Sequence, residues 1–225
     1  MGRFTRVQVW DTMEKSGIVP LYYHEDIETA KRIAEALIKG GAGIIEFANR
    51  GRRAFEIYRE VALHLEQHAP TVIFGVGSVL DTPTAGLYIN LGANFIVSPA
   101  THADVAKLCN RRKVAYIPGC ATATEISLAE ELGVEICKVF PASALGGPDF
   151  IRSIKGPCPH SKLMPTGGVD ATQENLQDWF DAGVACVGIG SALVRTNLVE
   201  AGDWDGISAL TKHCLDWIAK IRATS

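Results

Sequence analysis

A chain of 225 residues, 47% hydrophobic and 21% charged, holds enough apolar material for one sizeable core and reads as a single domain. Its formal net charge of −3 excludes a whole-molecule basic field for nucleic acid or an anionic membrane, so any anionic ligand must be caught locally. Six dispersed cysteines with no C-x-x-C pair read as reduced core thiols. With no long apolar leader and no span of about 20 apolar residues, they point to a soluble cytoplasmic protein.

In chain order, residues 1–16 predict a leader helix, centred on Thr5–Lys15, and 17–225 predict repeated βα units followed by a C-terminal helix. Eight short apolar runs read as strands: Gly17–Tyr22, Gly43–Phe47, Val72–Val76, Phe95–Ser98, Val114–Pro118, Ile136–Phe140, Lys162–Pro165 and Ala185–Ile189. Between them run helical stripes, such as Ile27, Ala30, Ala34 and Leu37, and later Leu176, Trp179 and Phe180. Asp26 is an N-cap candidate, and Gly40-Gly41, Gly92, Gly133 and Gly183 close helices before the next strand. The last stripe is Ile207, Leu210, Cys214, Trp217, Ile218 and Ile221.

Eight βα units without a long linker suit an α/β fold of the (β/α)8 TIM-barrel type with an extra N-terminal helix. An open doubly wound sheet would carry a glycine-rich first turn, whereas the first connection here is Tyr22-Tyr23-His24-Glu25-Asp26. Gly75-Val76-Gly77-Ser78 lacks the third glycine of a dinucleotide fingerprint and follows the third strand.

Barrel chemistry sits at the C-terminal strand ends. The polar residues there are Glu46, Ser78, Pro99 with Thr101, Gly119 with Thr122, Lys138, Thr166 with Gly167-Gly168, and Gly190-Ser191. Lys138 interrupts a run suited to a buried strand and shares a face with Ile136 and Phe140. Desolvation there favours the neutral amine that attacks a ketone; the bland alternative is a lysine whose head reaches water or pairs with a carboxylate. Glu46 reads either as a proton shuttle or as the counter-ion of Lys138. Gly167, Gly168, Gly190 and Ser191, on the loops after strands seven and eight, match the usual barrel phosphate site, where backbone N–H groups and the start of a following short helix face the anion. Arg50 brings positive charge to the same mouth, while Arg52 and Arg53 read as solvated. The scattered histidines hold one helical pair, His64 and His68, without the adjacent glutamate of a zinc helix, so neither a metal nor another cofactor is expected.

The ordered series Glu46-x-x-x-Arg50, Gly75-x-Gly77-Ser78, Ser98-Pro99, Ile117-Pro118-Gly119, Lys138-Val139-Phe140-Pro141 and Pro165-Thr166-Gly167-Gly168 resembles the bacterial 2-keto-3-deoxy-6-phosphogluconate (KDPG) aldolases, also described as 4-hydroxy-2-oxoglutarate (KHG) aldolases. The likeness runs from about Ile18 to Asp203. It implies a cofactor-free homotrimeric class I aldolase that splits the phosphorylated keto-acid into pyruvate and glyceraldehyde 3-phosphate. By that resemblance Lys138 is the Schiff-base lysine and Glu46 the general acid/base. Arg50, Ser78 and Thr166 contact the pyruvate carboxylate, Pro99 and Phe140 wall the pocket, and Gly167, Gly168, Gly190 and Ser191 hold the phosphate.

Two positions depart from the family pattern. Ser78 stands where threonine is usual, which predicts looser packing around the same hydroxyl, and Ala48 removes a polar wall where threonine is common. The segment Pro118–Glu125 also looks like the related 6-phosphogalactonate aldolases, leaving the C4 configuration open. A phosphosugar isomerase or epimerase using Glu46 as base, and a non-catalytic phosphosugar-binding barrel, are the competing readings.

Overall fold

The structure is a computed structural model and describes residues 2–224. It opens with helix α1 (Arg6–Ser16), whose start is fixed by a capping box: Thr5 accepts from the Gln8 backbone N–H while the Gln8 side chain accepts from the Thr5 N–H. Strand and helix then alternate as β1 (Ile18–Tyr22), α2 (Ile27–Lys39), β2 (Ile44–Ala48), α3 (Ala54–His68), β3 (Ile73–Gly77), α4 (Thr82–Asn90), β4 (Phe95–Val97), α5 (Ala103–Arg112) and β5 (Ala115–Ile117). After Pro118 come β6 (Gly119–Cys120), α6 (Ala123–Glu131), β7 (Cys137–Val139), α7 (Pro148–Lys155), β8 (Leu163–Pro165) and α8 (Gln173–Asp181). The chain finishes with β9 (Val187–Ile189), α9 (Thr196–Glu200) and the long α10 (Trp204–Thr224). Asp26, Asp81, Thr122 and Thr172 each cap a following helix through the side chain.

Every ladder is parallel. One sheet runs β5-β4-β3-β2-β1-β9 and a second runs β6-β7-β8. The expected fifth strand, Val114–Pro118, is β5, and Pro118, with no N–H to give to a ladder, separates it from the further short strand β6. At the other junction the Ala185 N–H donates to the Leu163 carbonyl at 2.9 Å, and Thr166 and Gly188 form a parallel bridge between the ends of β8 and β9.

Period-two alternation divides the buried side chains into two sets. Ile45, Phe47, Phe74, Val76, Cys137 and Val139 face outward into the layer shared with the helices. Val19, Ile44, Ile73, Phe95, Val97, Ala115, Ile117, Ile136, Met164 and Cys186 face inward, and Val9 and Met13 of α1 join them. The leader helix therefore seals the end where the strands begin. Arg222 of α10 ties the two chain ends together, donating to the carbonyls of Glu14 and of Ala185, with its guanidinium carbon 4.9 Å from the centre of the Phe180 ring.

Candidate active site

The alternation that buries Ile44 and Ile136 inside carries Glu46 and Lys138 onto the same inward face, one step nearer the C-terminal strand ends. Both are almost wholly removed from water, at 2% and 6% exposure. A carboxylate and an amine in such a place disfavour their charged forms. Burial pushes the Glu46 carboxyl above its ordinary range, and the charges of Lys138 and Arg50 pull it part of the way back. For Lys138 burial lowers the proton affinity, Glu46 opposes that change, and Arg50 adds to it.

The Lys138 Nζ lies 4.9 Å from the centre of the Phe140 ring, over its face. Glu46 Oε2 and Thr166 Oγ1 are buried and have no hydrogen-bond partner among the described residues. Buried polar atoms are seldom left so. Both belong to the inward set, since Thr166 follows Met164 by two residues and bridges to Gly188 of β9.

Beyond β2, Arg50 is exposed, while Arg53 is engaged with Glu56 at 2.6 Å as a solvated first-turn pair. A cavity of about 240 Å³ joins Arg50 and Ala48 to Gly190 and Ser191. It is also lined by Leu21, Tyr23, Val194 and Thr196, which sequence reasoning missed. Tyr23 was visible as a polar aromatic at a strand end; Val194 and Thr196 carry no local signal, because only the turn after β9 folds them back. That turn separates Gly190 from the following short helix, α9. The Gly190 carbonyl accepts from both Leu193 and Val194 at 2.9 Å, and α9 starts only at Thr196. Gly167 and Gly168 do not line this cavity; both have positive φ, and they pack against Phe140 and Ser143 respectively.

Ser78 follows β3 with φ 59°, and half-buried Pro99 follows β4 with its carbonyl against Gly119. The histidine pair His64 and His68 stacks at 4.3 Å on α3, with His64 Nε2 2.8 Å from Glu35 of α2. It lies on the outer helical layer.

A model of the KDPG and KHG aldolase family matches residues 9–210. The chain belongs to that family. It is 32% identical to the 2-dehydro-3-deoxy-phosphogluconate aldolase of Pseudoalteromonas atlantica, over 96% of this chain and 98% of that one. It is also 32% identical to the KHG/KDPG aldolase of Escherichia coli K12, over 88% of this chain and 91% of the relative. A crystal structure of KDPG aldolase from Legionella pneumophila, with pyruvate captured as a covalent carbinolamine, superposes with a TM-score of 0.81 at 27% identity, covering 90% of this chain and 96% of that one.

Within this KDPG and KHG aldolase chain, the two departures from the family pattern acquire structural meaning. The left-handed backbone at Ser78 is costly for a β-branched residue, so serine carries a hydroxyl at the strand end with less strain than threonine would. Ala48 forms part of the cavity wall and leaves room beside Arg50.

Proposed function

We propose that this aldolase cleaves 2-keto-3-deoxy-6-phosphogluconate to pyruvate and glyceraldehyde 3-phosphate through a Schiff base on Lys138, and that it also splits 4-hydroxy-2-oxoglutarate to pyruvate and glyoxylate. The observation that carries the reading is the pairing of a buried amine with a buried carboxylate on one inward face. Burial raises the neutral fraction of Lys138, which adds to the C2 ketone; loss of water leaves an iminium that acts as the electron sink. A base takes the C4 hydroxyl proton, the C3–C4 bond breaks toward C3, and the aldehyde departs. The resulting enamine is protonated at C3, and water hydrolyses the imine to release pyruvate. Glu46, whose proton affinity burial raises above that of an ordinary carboxylate, is assigned the proton transfers.

Thr166, Arg50 and Ser78 are assigned to the pyruvate carboxylate, and Pro99 and Phe140 to the pocket wall. The cavity lined by Arg50, Gly190 and Ser191 supports a distal phosphate site, with Gly167 and Gly168 assigned to shaping its approach. The two ladders read as one closed eight-stranded barrel, given the continuous path through Pro118 and the Thr166–Gly188 bridge. A homotrimer is the proposed working state; sedimentation velocity tests it.

The deciding experiment is borohydride reduction in the presence of pyruvate, followed by mass analysis of the peptide containing Lys138. A reduced pyruvate adduct on that lysine is expected. An isomerase, or a barrel that only binds, would give none. Pyruvate release from the gluconate and galactonate substrates, assayed side by side, fixes the preferred C4 configuration.

A further inference from the structure

Three glycines line the inward face beside the reacting groups, and each leaves room for a different neighbour. A Cβ at Gly75 would run into the ring of Phe95, a core residue. At Gly77 it would run into Glu46 Oε1, and at Gly188 into Thr166 Oγ1. Register adds a direction. Glu46 is paired with Gly75 across β2 and β3, yet its carboxylate lies over Gly77, two residues further on, so the side chain leans toward the C-terminal strand ends. Phe95 fills the place it would otherwise drop into. Both of the atoms that occupy glycine space, on Glu46 and Thr166, belong to side chains with a buried oxygen lacking a hydrogen-bond partner among the described residues. No hydrogen bond among the described residues holds those oxygens where they are; besides the charges of Lys138 and Arg50 acting on Glu46, it is shape that places them.

We propose that Gly77 and Gly188 are positioning residues for the aldol chemistry: the absent side chain at Gly77 seats the Glu46 carboxylate against the reacting carbons, and the absent side chain at Gly188 seats the Thr166 hydroxyl toward the keto-acid. This rests on the function proposed above. Steric displacement takes the place of hydrogen bonding, which leaves the oxygens' full capacity for substrate and moving protons. A methyl at Gly77 would drive Glu46 toward the mouth, where hydration would return its pKa toward the ordinary carboxylate range.

The test is a double-mutant cycle on the full chain. Gly77→Ala should retain the borohydride-trapped pyruvate adduct, lose kcat by about 10²-fold, the scale of a misplaced catalytic group, and move the acidic limb of its kcat profile to lower pH. Glu46→Asp shortens the side chain by one methylene and should damage the native chain more than the Gly77→Ala chain, in which it restores the missing room. Gly188→Ala, whose Cβ would meet Thr166 Oγ1, should act mainly on KM. Gly75→Ala should lower stability yet leave the pH limb in place, since its space belongs to Phe95. If Gly77→Ala is insoluble, solubility of Gly77→Ala/Glu46→Asp supports the proposal, and insolubility of both overturns it. An unchanged pH limb in folded Gly77→Ala, or strictly additive effects of the pair, also overturns it. Failure to trap pyruvate on the native Lys138 would instead remove the functional reading and leave the packing of Glu46 over Gly77 as a structural fact.

Discussion

Glu46 and Lys138 stand on strands that share no ladder, β2 and β7, and each holds the other's proton affinity nearer its ordinary value than burial alone would leave it. The interior therefore contains a mutually restrained acid and base, and changing either one should be felt at the other.

Glu46→Gln removes the charge that raises the proton affinity of Lys138. The lysine should then release its proton at lower pH, so the pH profile of borohydride trapping moves down while turnover falls by about 10²-fold. Titrating adduct formation by mass spectrometry checks this. A profile identical to that of the native protein would mean that the two groups are not coupled.

Neutralising the pair should stabilise the fold. Lys138 has a folded pKa below its ordinary 10.5, so its destabilising effect is full below the folded value and disappears as pH rises to 10.5. Glu46 has a folded pKa above 4.5, so its effect is absent below 4.5 and grows as pH rises to the folded value. Near neutrality both act. Lys138→Met/Glu46→Gln should accordingly be inactive yet more stable than the native protein by about 1–4 kcal/mol, with the gain shrinking toward both ends of the pH range. Urea denaturation at a series of pH values reads it; a loss of stability at pH 7 would contradict the burial argument.

Gly190→Val separates distal binding from chemistry. A Cβ there would meet Leu21 Cδ1 at 3.0 Å, and the branched side chain would narrow the cavity shared with Arg50. kcat/KM should fall steeply on the phosphorylated substrate and much less on 4-hydroxy-2-oxoglutarate, which carries no phosphate. Equal losses on the two substrates would detach this loop from phosphate binding.

Gly86 lies inside α4 with no heavy atom near its missing Cβ. Gly86→Ala should stabilise the protein by about 0.5–1 kcal/mol by cutting the conformational freedom of the unfolded chain. Thermal unfolding should show this with kcat unaltered; a lower midpoint would reveal a neighbour at that surface.

How far the sequence could be read depended on the length scale of each signal. Lys138 and Glu46 were legible because a charged residue inside an apolar run of period two declares both its face and its cost. All eight expected strand positions carry strand in the structure, the fifth as β5, while β6 at Gly119–Cys120 lies beyond the expected runs. What escaped notice depends on backbone geometry or on chain return. Ser78 gives no hint in its residue type of a φ of 59°. Val194 and Thr196 reach the cavity only because the Gly190 carbonyl closes a turn on two N–H groups at once. The same turn sets α9 back to Thr196, a choice between two local hydrogen-bond patterns that composition does not separate.

Val9 and Met13 of α1 pack beneath the inward-facing strand residues, and this has a kinetic meaning. If the two sheets close into the barrel proposed above, a chamber stoppered below has a single doorway, so everything that enters and leaves must queue. With the Schiff base on Lys138 as proposed above, the keto end of the substrate should go in first and the aldehyde half should be left nearest the exit. After cleavage the aldehyde blocks the way out until it departs, and pyruvate follows. Traffic of this kind should make pyruvate a competitive product inhibitor against the keto-acid and the aldehyde a non-competitive one, which steady-state product inhibition reads, an order traceable to the leader helix at the opposite end of the molecule from the proposed reacting atoms.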